Sequence, residues 1–146
     1  MIVEETKSYP YKLLLEADPS IPHIKEYISK GKCYVAKEDG EVIGVYVLLP
    51  IESSITEIKN IAVKETWRDK GIGKKLIKDA LQRAEKNGMK SVEIGTGNSS
   101  IGQLALYQKC GFRISEIVMG FFDDYPEEIM EDGIRCRDMI RLSYSI

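Results

Sequence analysis

The hydrophobic pattern of the chain changes its period within one stretch, Ile55 to Gly88. The first nine residues are rich in β-branched side chains, as in a strand, and the last sixteen carry an apolar stripe at helical spacing. That stripe consists of Ile72, Leu76, Ile77, Ala80, Leu81 and Ala84. Between the two parts lies a turn with two glycines, from Arg68 to Gly73. The stretch therefore predicts a strand, a glycine turn and a helix that begins directly after the turn.

Before this stretch the pattern predicts three strands and one short helix. Apolar residues at helical spacing precede Gly31, which is typical of a helix C-terminus. Asp39-Gly40 is a strong hairpin signal between two apolar runs. The predicted elements are a lead-in over residues 1–10, a strand Tyr11 to Ala17, a helix containing Ile21, Ile24, Tyr27 and Ile28, strands Cys33 to Lys37 and Glu41 to Leu49, and a turn from Pro50 to Ser54.

After the glycine turn the pattern predicts two helices and three further strands. Asn87-Gly88 is suited to a left-handed helix cap, and Ser99 or Ser100 is suited to cap the next helix. The predicted elements are a helix from Gly73 to Lys86, a strand Ser91 to Ile94, a loop Gly95 to Ser100, a helix ending near Lys109 before Gly111, a strand Arg113 to Phe122, an acidic loop Asp123 to Gly133 and a strand Asp138 to Tyr144. This order predicts one α+β domain over residues 1–146, with a mixed, largely antiparallel sheet flanked by helices.

The composition is that of an ordinary globular protein, with 43% apolar and 30% charged residues among 146. The net charge is only −2, but the charges are unevenly distributed. Residues 59–90 carry ten Lys or Arg against four Asp or Glu, and residues 114–134 carry seven acidic residues and no basic one. Both runs are compatible with solvated surface. Alternatively, they form a basic edge for a phosphorylated cofactor and an acidic edge for a cationic substrate.

Several classes of site and location are not expected. The three cysteines are widely spaced without a CxxC pair, and there is a single histidine, His23, so neither a disulfide framework nor a metal site is predicted. The N-terminus lacks the pattern of a signal peptide, and no apolar run is long enough to span a bilayer. We therefore expect a cytoplasmic protein that binds neither membrane nor nucleic acid.

The turn before the helix Gly73 to Lys86 has the features of an anion site. The first amides of a helix have no intrahelical partner, and the helix dipole places partial positive charge there. Gly71 and Gly73 remove the Cβ atoms that would block a phosphate. Lys70, Lys74 and Lys75 add positive charge around the same point.

Two motifs give this site a family resemblance. Arg68-x-x-Gly71-x-Gly73, after a strand that ends in Ile61-Ala62-Val63, resembles the acetyl-CoA-binding motif of the GNAT superfamily of N-acetyltransferases. The segment Leu106 to Phe112 resembles the second signature of that superfamily, LYxKxGF. The resemblance covers about residues 32–122. Family members usually have two helices near the N-terminus, over which the acceptor enters, whereas the pattern here predicts little more than one.

The resemblance implies acetyl-CoA as cosubstrate and a GNAT-like acyltransferase fold. The strand edge would pair with the pantetheine amides, and the turn would bind the pyrophosphate. The residues implied in cofactor binding are Ile61, Ala62 and Val63 on the strand and Arg68, Asp69, Lys70, Gly71, Ile72, Gly73 and Lys74 in the turn. The simpler alternative is that the glycines only make a tight strand-to-helix turn.

The same resemblance implies roles for five further residues. Tyr107 matches the tyrosine that protonates the departing thiolate, although it could instead be a core aromatic. Glu57 stands where several family members place a general base, but Lys59 shares its strand face and would oppose the raised pKa that suits a base. The pantetheine contact of the usual asparagine falls to Asn98, to Ser100 or to neither. Lys109 would approach the 3′-phosphate or ribose end, unless it is only a solvated helix-end cation.

Three rival interpretations compete with this resemblance. Glu93-Ile94-Gly95-Thr96-Gly97 is similar to the ExGxG motif of S-adenosylmethionine-dependent methyltransferases, but too few residues follow it for the rest of that fold. A P-loop fails because Arg68 occupies the position of its first glycine. A GNAT-like domain that binds acyl-CoA without catalysis remains open. The resulting hypothesis is an N-acetyltransferase that uses a ternary complex and direct attack by a primary amine, small molecule or peptide, with a homodimer as the assembly the family implies.

Overall fold

The computed structural model describes all residues from Met1 to Ile146. The chain forms two compact units: unit 1 is residues 1–92 together with Ile146, and unit 2 is residues 93–145. Seven of its strands belong to a mixed sheet, and the chain has four α-helices. The predicted α+β class is confirmed.

Unit 1 contains four antiparallel strands in the order β1-β2-β3-β4. Three α-helices and a short 3₁₀ turn, Glu65–Trp67, accompany them. The elements are β1 (Ile2–Thr6), α1 (Tyr11–Ala17), α2 (Ile21–Lys30), β2 (Lys32–Glu38), β3 (Glu41–Glu52), β4 (Ile55–Val63) and α3 (Ile72–Lys86). The core lies where α1 and α2 pack on the strands, around Leu14, Ile24 and Val47, all with no exposed surface.

The first seventeen residues differ from their prediction. Residues 1–10 contain a real strand, β1, which pairs with β2, and Tyr11–Ala17 is a helix rather than a strand. Three consecutive leucines gave no period, but leucine, lysine, glutamate and alanine are all strong helix formers. Only Leu14 is fully buried, as expected for one short helical face. The N-terminal region therefore has two helices where the pattern predicted one.

Gly31 follows α2 for a different reason from the one predicted. Its φ of −118° is extended rather than left-handed, so it is not the αL cap that the sequence indicated. A Cβ on Gly31 would stand 2.4 Å from the carbonyl oxygen of Leu48, so the glycine allows two backbones to approach. The helix begins as sequence rules predict, with Ser20 Oγ accepting a hydrogen bond from the His23 amide at 3.2 Å.

The hairpin and the central strand are confirmed. Asp39 and Gly40 have φ values of 50° and 80°, the two left-handed residues that a type I′ turn needs. β3 continues to Glu52, so the predicted turn over Pro50 to Ser54 is reduced to its last two residues. β4 has a β-bulge: Val47 pairs with Asn60 and Leu48 with Ile58, which leaves Lys59 as the extra residue.

The C-terminus of α3 is a Schellman motif, as Asn87-Gly88 predicted. Gly88 has a φ of 75° and donates to Glu85 O at 3.0 Å, and the Met89 amide reaches Ala84 O at 3.0 Å. The local sequence therefore sets both ends of this helix.

Unit 2 contains one helix and the strand order β5-β9-β6. A separate two-stranded hairpin, β7-β8, lies within the acidic segment predicted as a loop. The elements are β5 (Ser91–Gly97), α4 (Ile101–Lys109), β6 (Arg113–Val118), β7 (Met130–Glu131), β8 (Ile134–Arg135) and β9 (Met139–Ser145). The strand predicted from Arg113 to Phe122 ends at Val118, because turns begin at Met119.

The glycine-rich segment predicted as a loop partly belongs to β5. A Cβ on Gly95 would lie 2.7 Å from the sulfur of Met139, and one on Gly97 would lie 2.4 Å from Cys136 Sγ. These glycines therefore make room for neighbouring side chains. The similarity to a methyltransferase motif is explained by strand packing.

Candidate active site

The N-terminus of α3 is an open anion site built from the backbone of unit 1. Asp69 and Gly71 have φ values of 61° and 78°, so the chain turns sharply between β4 and the helix. No side chain caps α3, and its first intrahelical bond runs from the Lys75 amide to Gly71 O at 3.2 Å. The amides of Ile72, Gly73 and Lys74 therefore precede the intrahelical ladder, as in helix termini that bind phosphate.

The turn is accessible to a ligand. Residues 68–71 are exposed, and a Cβ on Gly71 would meet no atom within 4 Å. Gly71 is therefore required by its positive φ and by whatever approaches the turn, because it has no packing neighbour. Lys70, Lys74 and Lys75 surround this point and supply the predicted positive charge.

Arg68 lies in the turn, but its side chain bonds to the protein framework. Its Nε donates to Val63 O at 3.1 Å, and its guanidinium lies 3.4 Å from the Glu16 carboxylate on α1. The turn is thereby fastened to the end of β4. The structure places Arg68 with the other turn residues, as the motif predicted, and shows a framework contact that the sequence could not reveal.

The strand segment Ile61 to Val63 leads directly into the turn. All three residues are half-buried and pair with Gly44 to Tyr46 on β3. The strand and the amides that the sequence assigned to one cofactor thus follow each other within unit 1.

Glu57 lies six residues before Val63 on the same strand and is 7% exposed. Lys59 Nζ lies 3.8 Å from its carboxylate. This contact favours the carboxylate anion, which is the form that can accept a proton. The contact with Lys59 expected from the shared strand face is present.

Asn60 anchors β4 to the two N-terminal helices. Its Nδ2 donates to Leu14 O on α1 at 3.0 Å and to the Tyr27 hydroxyl on α2 at 2.9 Å. Its buried Oδ1 has no partner. Desolvation raises the pKa of Tyr27 well above its usual range, so that hydroxyl stays protonated. No local sequence signal predicts this anchor, since its partners lie 33 and 46 residues away.

Tyr107 occupies the interior of unit 2. It is 4% exposed on α4, and its ring lies 6.3 Å from that of Phe112. Desolvation raises the pKa of Tyr107 well above that of a free phenol, so the hydroxyl is in the proton-donating form at neutral pH. The residue is thus both a core aromatic and a protonated acid, the two alternatives the sequence left open.

The polar side chains before α4 bond to the segment that follows β6. Asn98 Oδ1 accepts from the amides of Arg137 and Asp138 at 2.8 and 3.0 Å, and its Nδ2 donates to Arg135 O at 3.1 Å. Ser99 and Ser100 donate to the Glu131 carboxylate at 2.9 and 3.0 Å. Neither serine side chain caps α4, contrary to the prediction. Lys109 is exposed in the last turn of α4.

The acidic run of unit 2 is partly neutralised by the arginines that follow it. Arg137 lies 3.3 Å from Asp123, and this contact lowers the pKa of that carboxyl. Arg135 lies 3.9 Å from Glu128. Asp124 and Glu127 are exposed, and no ion pair involves them. The charge available to a cation is therefore smaller than the sequence run indicates.

Two general features complete the description. No cluster of three or more His, Cys, Asp or Glu side chains has an arrangement that could hold a metal ion. None of the four helices combines the length and apolar character needed to cross a bilayer.

Comparisons with known proteins agree with this geometry. A profile described as the acetyltransferase (GNAT) family matches residues 2–112. An N-acetyltransferase of Bacillus subtilis (strain 168), YvbK, described as uncharacterized, is 55% identical over 140 residues, which cover 95% of this chain and 90% of that protein.

Two crystal structures are similar over nearly the whole chain. One is a GNAT family acetyltransferase from Elizabethkingia anophelis with acetyl-CoA bound, with a TM-score of 0.96 and 49% identity, covering 99% of this chain and 97% of that one. The other is a Bacillus subtilis acetyltransferase in complex with CoA, with a TM-score of 0.96, 51% identity and the same coverage of both chains. These similarities confirm the fold expected from the two motifs.

Proposed function

Since the chain belongs to the acetyltransferase (GNAT) family, we propose that it moves an acetyl group from acetyl-CoA to a primary amine by direct attack in a ternary complex. Acetyl-CoA dependence is the property shared with its solved relatives. The observation that carries the proposal for this chain is the exposed, uncapped N-terminus of α3 directly after β4.

The residues of unit 1 fit the cosubstrate. The amides of Ile72, Gly73 and Lys74 would hold its pyrophosphate, with Lys70 and Lys74 adding positive charge. The edge of Ile61 to Val63 would hold the pantetheine arm. The bound thioester supplies the activated acetyl group. Asp69 contributes through its left-handed backbone, which directs the chain into the helix.

Two side chains are assigned to proton transfer. Glu57 accepts the proton that the amine must lose before attack, directly or through water. As the new C–N bond forms and the C–S bond breaks, the Tyr107 hydroxyl donates its proton to the departing sulfur. The anionic state of Glu57 beside Lys59 and the protonated state of Tyr107 match these opposite roles.

Three finer roles in cofactor binding remain proposals. Asn98 and Ser100 have side chains that bond within unit 2, so any contact with pantetheine would come from their backbone groups or after exchange of these bonds. Lys109 is exposed and could meet the 3′-phosphate.

The acceptor is proposed to be a cationic amine, on the strength of Asp124 and Glu127. Their double replacement by Asn and Gln should raise the acceptor KM while leaving the acetyl-CoA KM unchanged. The matched control is the double change Asp123→Asn and Glu128→Gln, which removes carboxylates already paired with arginines. An unchanged acceptor KM in the first variant would remove the reason for proposing a cation.

We also place the protein in the cytoplasm and expect it to act as a homodimer. None of the three cysteines forms a disulfide, as expected in a reducing compartment.

The experiment that tests the function measures thiol release from acetyl-CoA across a panel of primary amines. A parallel titration with CoA measures binding without chemistry. Amine-dependent release supports an acetyltransferase. Binding without release by any amine would favour a non-catalytic acyl-CoA module, and no binding would overturn the proposed cofactor site.

A further inference from the structure

Strand β6 is the free edge of the sheet in unit 2. It follows β9 at the end of the order β5-β9-β6, so one side of its backbone has no neighbouring strand. Five of its six residues are exposed, including Ile114 at 53% and Ile117 at 52%. An exposed apolar edge strand is a ready template for pairing with another strand.

The register with β9 shows which face each β6 residue occupies. Residues directly opposite each other in an antiparallel pair point to the same face. Ile114 pairs with the fully buried Leu142 and Ile117 with Ile140, so both isoleucines extend the apolar face of β9. That apolar face therefore continues onto the edge strand, where it is left uncovered.

Arg113 and Glu116 lie on the opposite face of β6. Arg113 pairs with Ser143 and Glu116 with Arg141, while Ser115 is the extra residue of a β-bulge. The bulge places residues three apart on the same face, which strict alternation would not allow. As a result, the face pattern of β6 is the same when it is taken from either end.

We propose that β6 is a homodimer interface, in which it pairs antiparallel with β6 of a second copy of this chain. With the two-fold axis between Ser115 and Glu116, each Ile114 stands opposite the other copy's Ile117. On the other face each Arg113 lies diagonal to the other copy's Glu116, a distance that long side chains span. The four isoleucines cover each other, and two ion pairs of opposite sign form.

A second copy fits this edge better than an unrelated strand does. A two-fold interface requires one surface to be complementary to itself, with residue i meeting j and j meeting i. β6 meets that requirement in its apolar residues and in its charges at the same register. The proposal gives a specific interface to the homodimer expected above, and it does not depend on catalysis because mass is measured without substrate.

The apolar part is tested by light scattering after gel filtration and by sedimentation over a series of protein concentrations. The wild-type protein should be a dimer, and Ile117→Lys should be a monomer with an unchanged melting temperature. The matched control is Ile101→Lys, which alters an isoleucine of similar exposure, 49%, at the start of α4 and should remain a dimer. A wild-type monomer from micromolar to millimolar concentration, or a dimeric Ile117→Lys variant, would overturn the proposal.

The charged part is tested by exchange of the two residues. Arg113→Glu and Glu116→Arg alone each place like charges across the axis and should raise the dimer dissociation constant by at least roughly fivefold. The double variant with both changes restores opposite pairs and should recover the wild-type constant. Failure of the double variant to recover would contradict this register, because a structural defect or an unrelated interface would not be repaired by the exchange.

Discussion

The most informative perturbation of the cofactor site is Gly71→Ala. Gly71 has a φ of +78°, and a methyl group there would meet no atom within 4 Å. The only cost to the fold is therefore the left-handed backbone, which is about 1–2 kcal/mol for an L-residue. The same methyl group would project into the open space in front of the α3 amides, where a pyrophosphate oxygen has to approach.

The effect on binding can be estimated separately from the effect on folding. Displacement of one charged hydrogen bond between phosphate and amide costs about 1.5–3 kcal/mol. At about 1.4 kcal/mol for each factor of ten, the acetyl-CoA Kd should rise about 10- to 100-fold. Larger side chains at Gly71 should abolish binding, since they would fill more of the same space.

Gly88→Ala is the matched control, at the other end of the same helix. Gly88 has a φ of +75°, and a methyl group added there would also meet no atom within 4 Å, so the backbone cost should be equal. Urea unfolding gives the stability of both variants. Quenching of Trp67, the only tryptophan and three residues before Lys70, gives CoA affinity. Equal destabilisation with weaker binding in Gly71→Ala alone is expected; wild-type affinity in that variant would refute the anion site.

Three further outcomes are expected. Tyr107→Phe should lower kcat by about 10- to 1,000-fold with little change in acetyl-CoA KM, and full turnover would exclude its acid role. Burial raises the pKa of Cys33 from 9.0 to about 12 and that of Tyr46 further still, so the unfolded chain ionises first. Stability should be complete below about pH 9 and fall as the pH rises towards about 12, and a flat unfolding free energy across that range would contradict this. Gly97→Ala should destabilise the protein by about 1–3 kcal/mol through the clash with Cys136 Sγ, and adding Cys136→Ala should restore most of the loss if the clash is the cause.

The parts of the fold that follow from local signals could be predicted from the sequence. The change of period across β4 and α3, the Asp39-Gly40 turn and the Asn87-Gly88 cap depend on neighbouring residues only. By contrast, Tyr11–Ala17 has three consecutive leucines, a run that fits a buried strand and a short helix equally well. Its helical state depends on packing against residues far along the chain.

The site was predictable to the same extent. The backbone of the turn and its exposure follow from the glycines and lysines around α3. The contacts of Asn98 and Ser100 do not, because their partners lie 31 to 40 residues away and belong to a segment without a clear pattern. The bulge at Lys59 is also invisible in the sequence, since it depends on the register with β3.

The polar side chains near the predicted cofactor residues mainly bond to the protein itself. Arg68 bonds to Val63 O, Asn98 holds the backbone before β9, and Asn60 joins β4 to two helices. What the turn offers a ligand is mostly backbone amide, which any residue of the right conformation can provide. It follows that motif side chains such as Arg68 act on binding by fixing the position of the turn. Replacing them should weaken binding together with stability, whereas a change at Gly71 should separate the two.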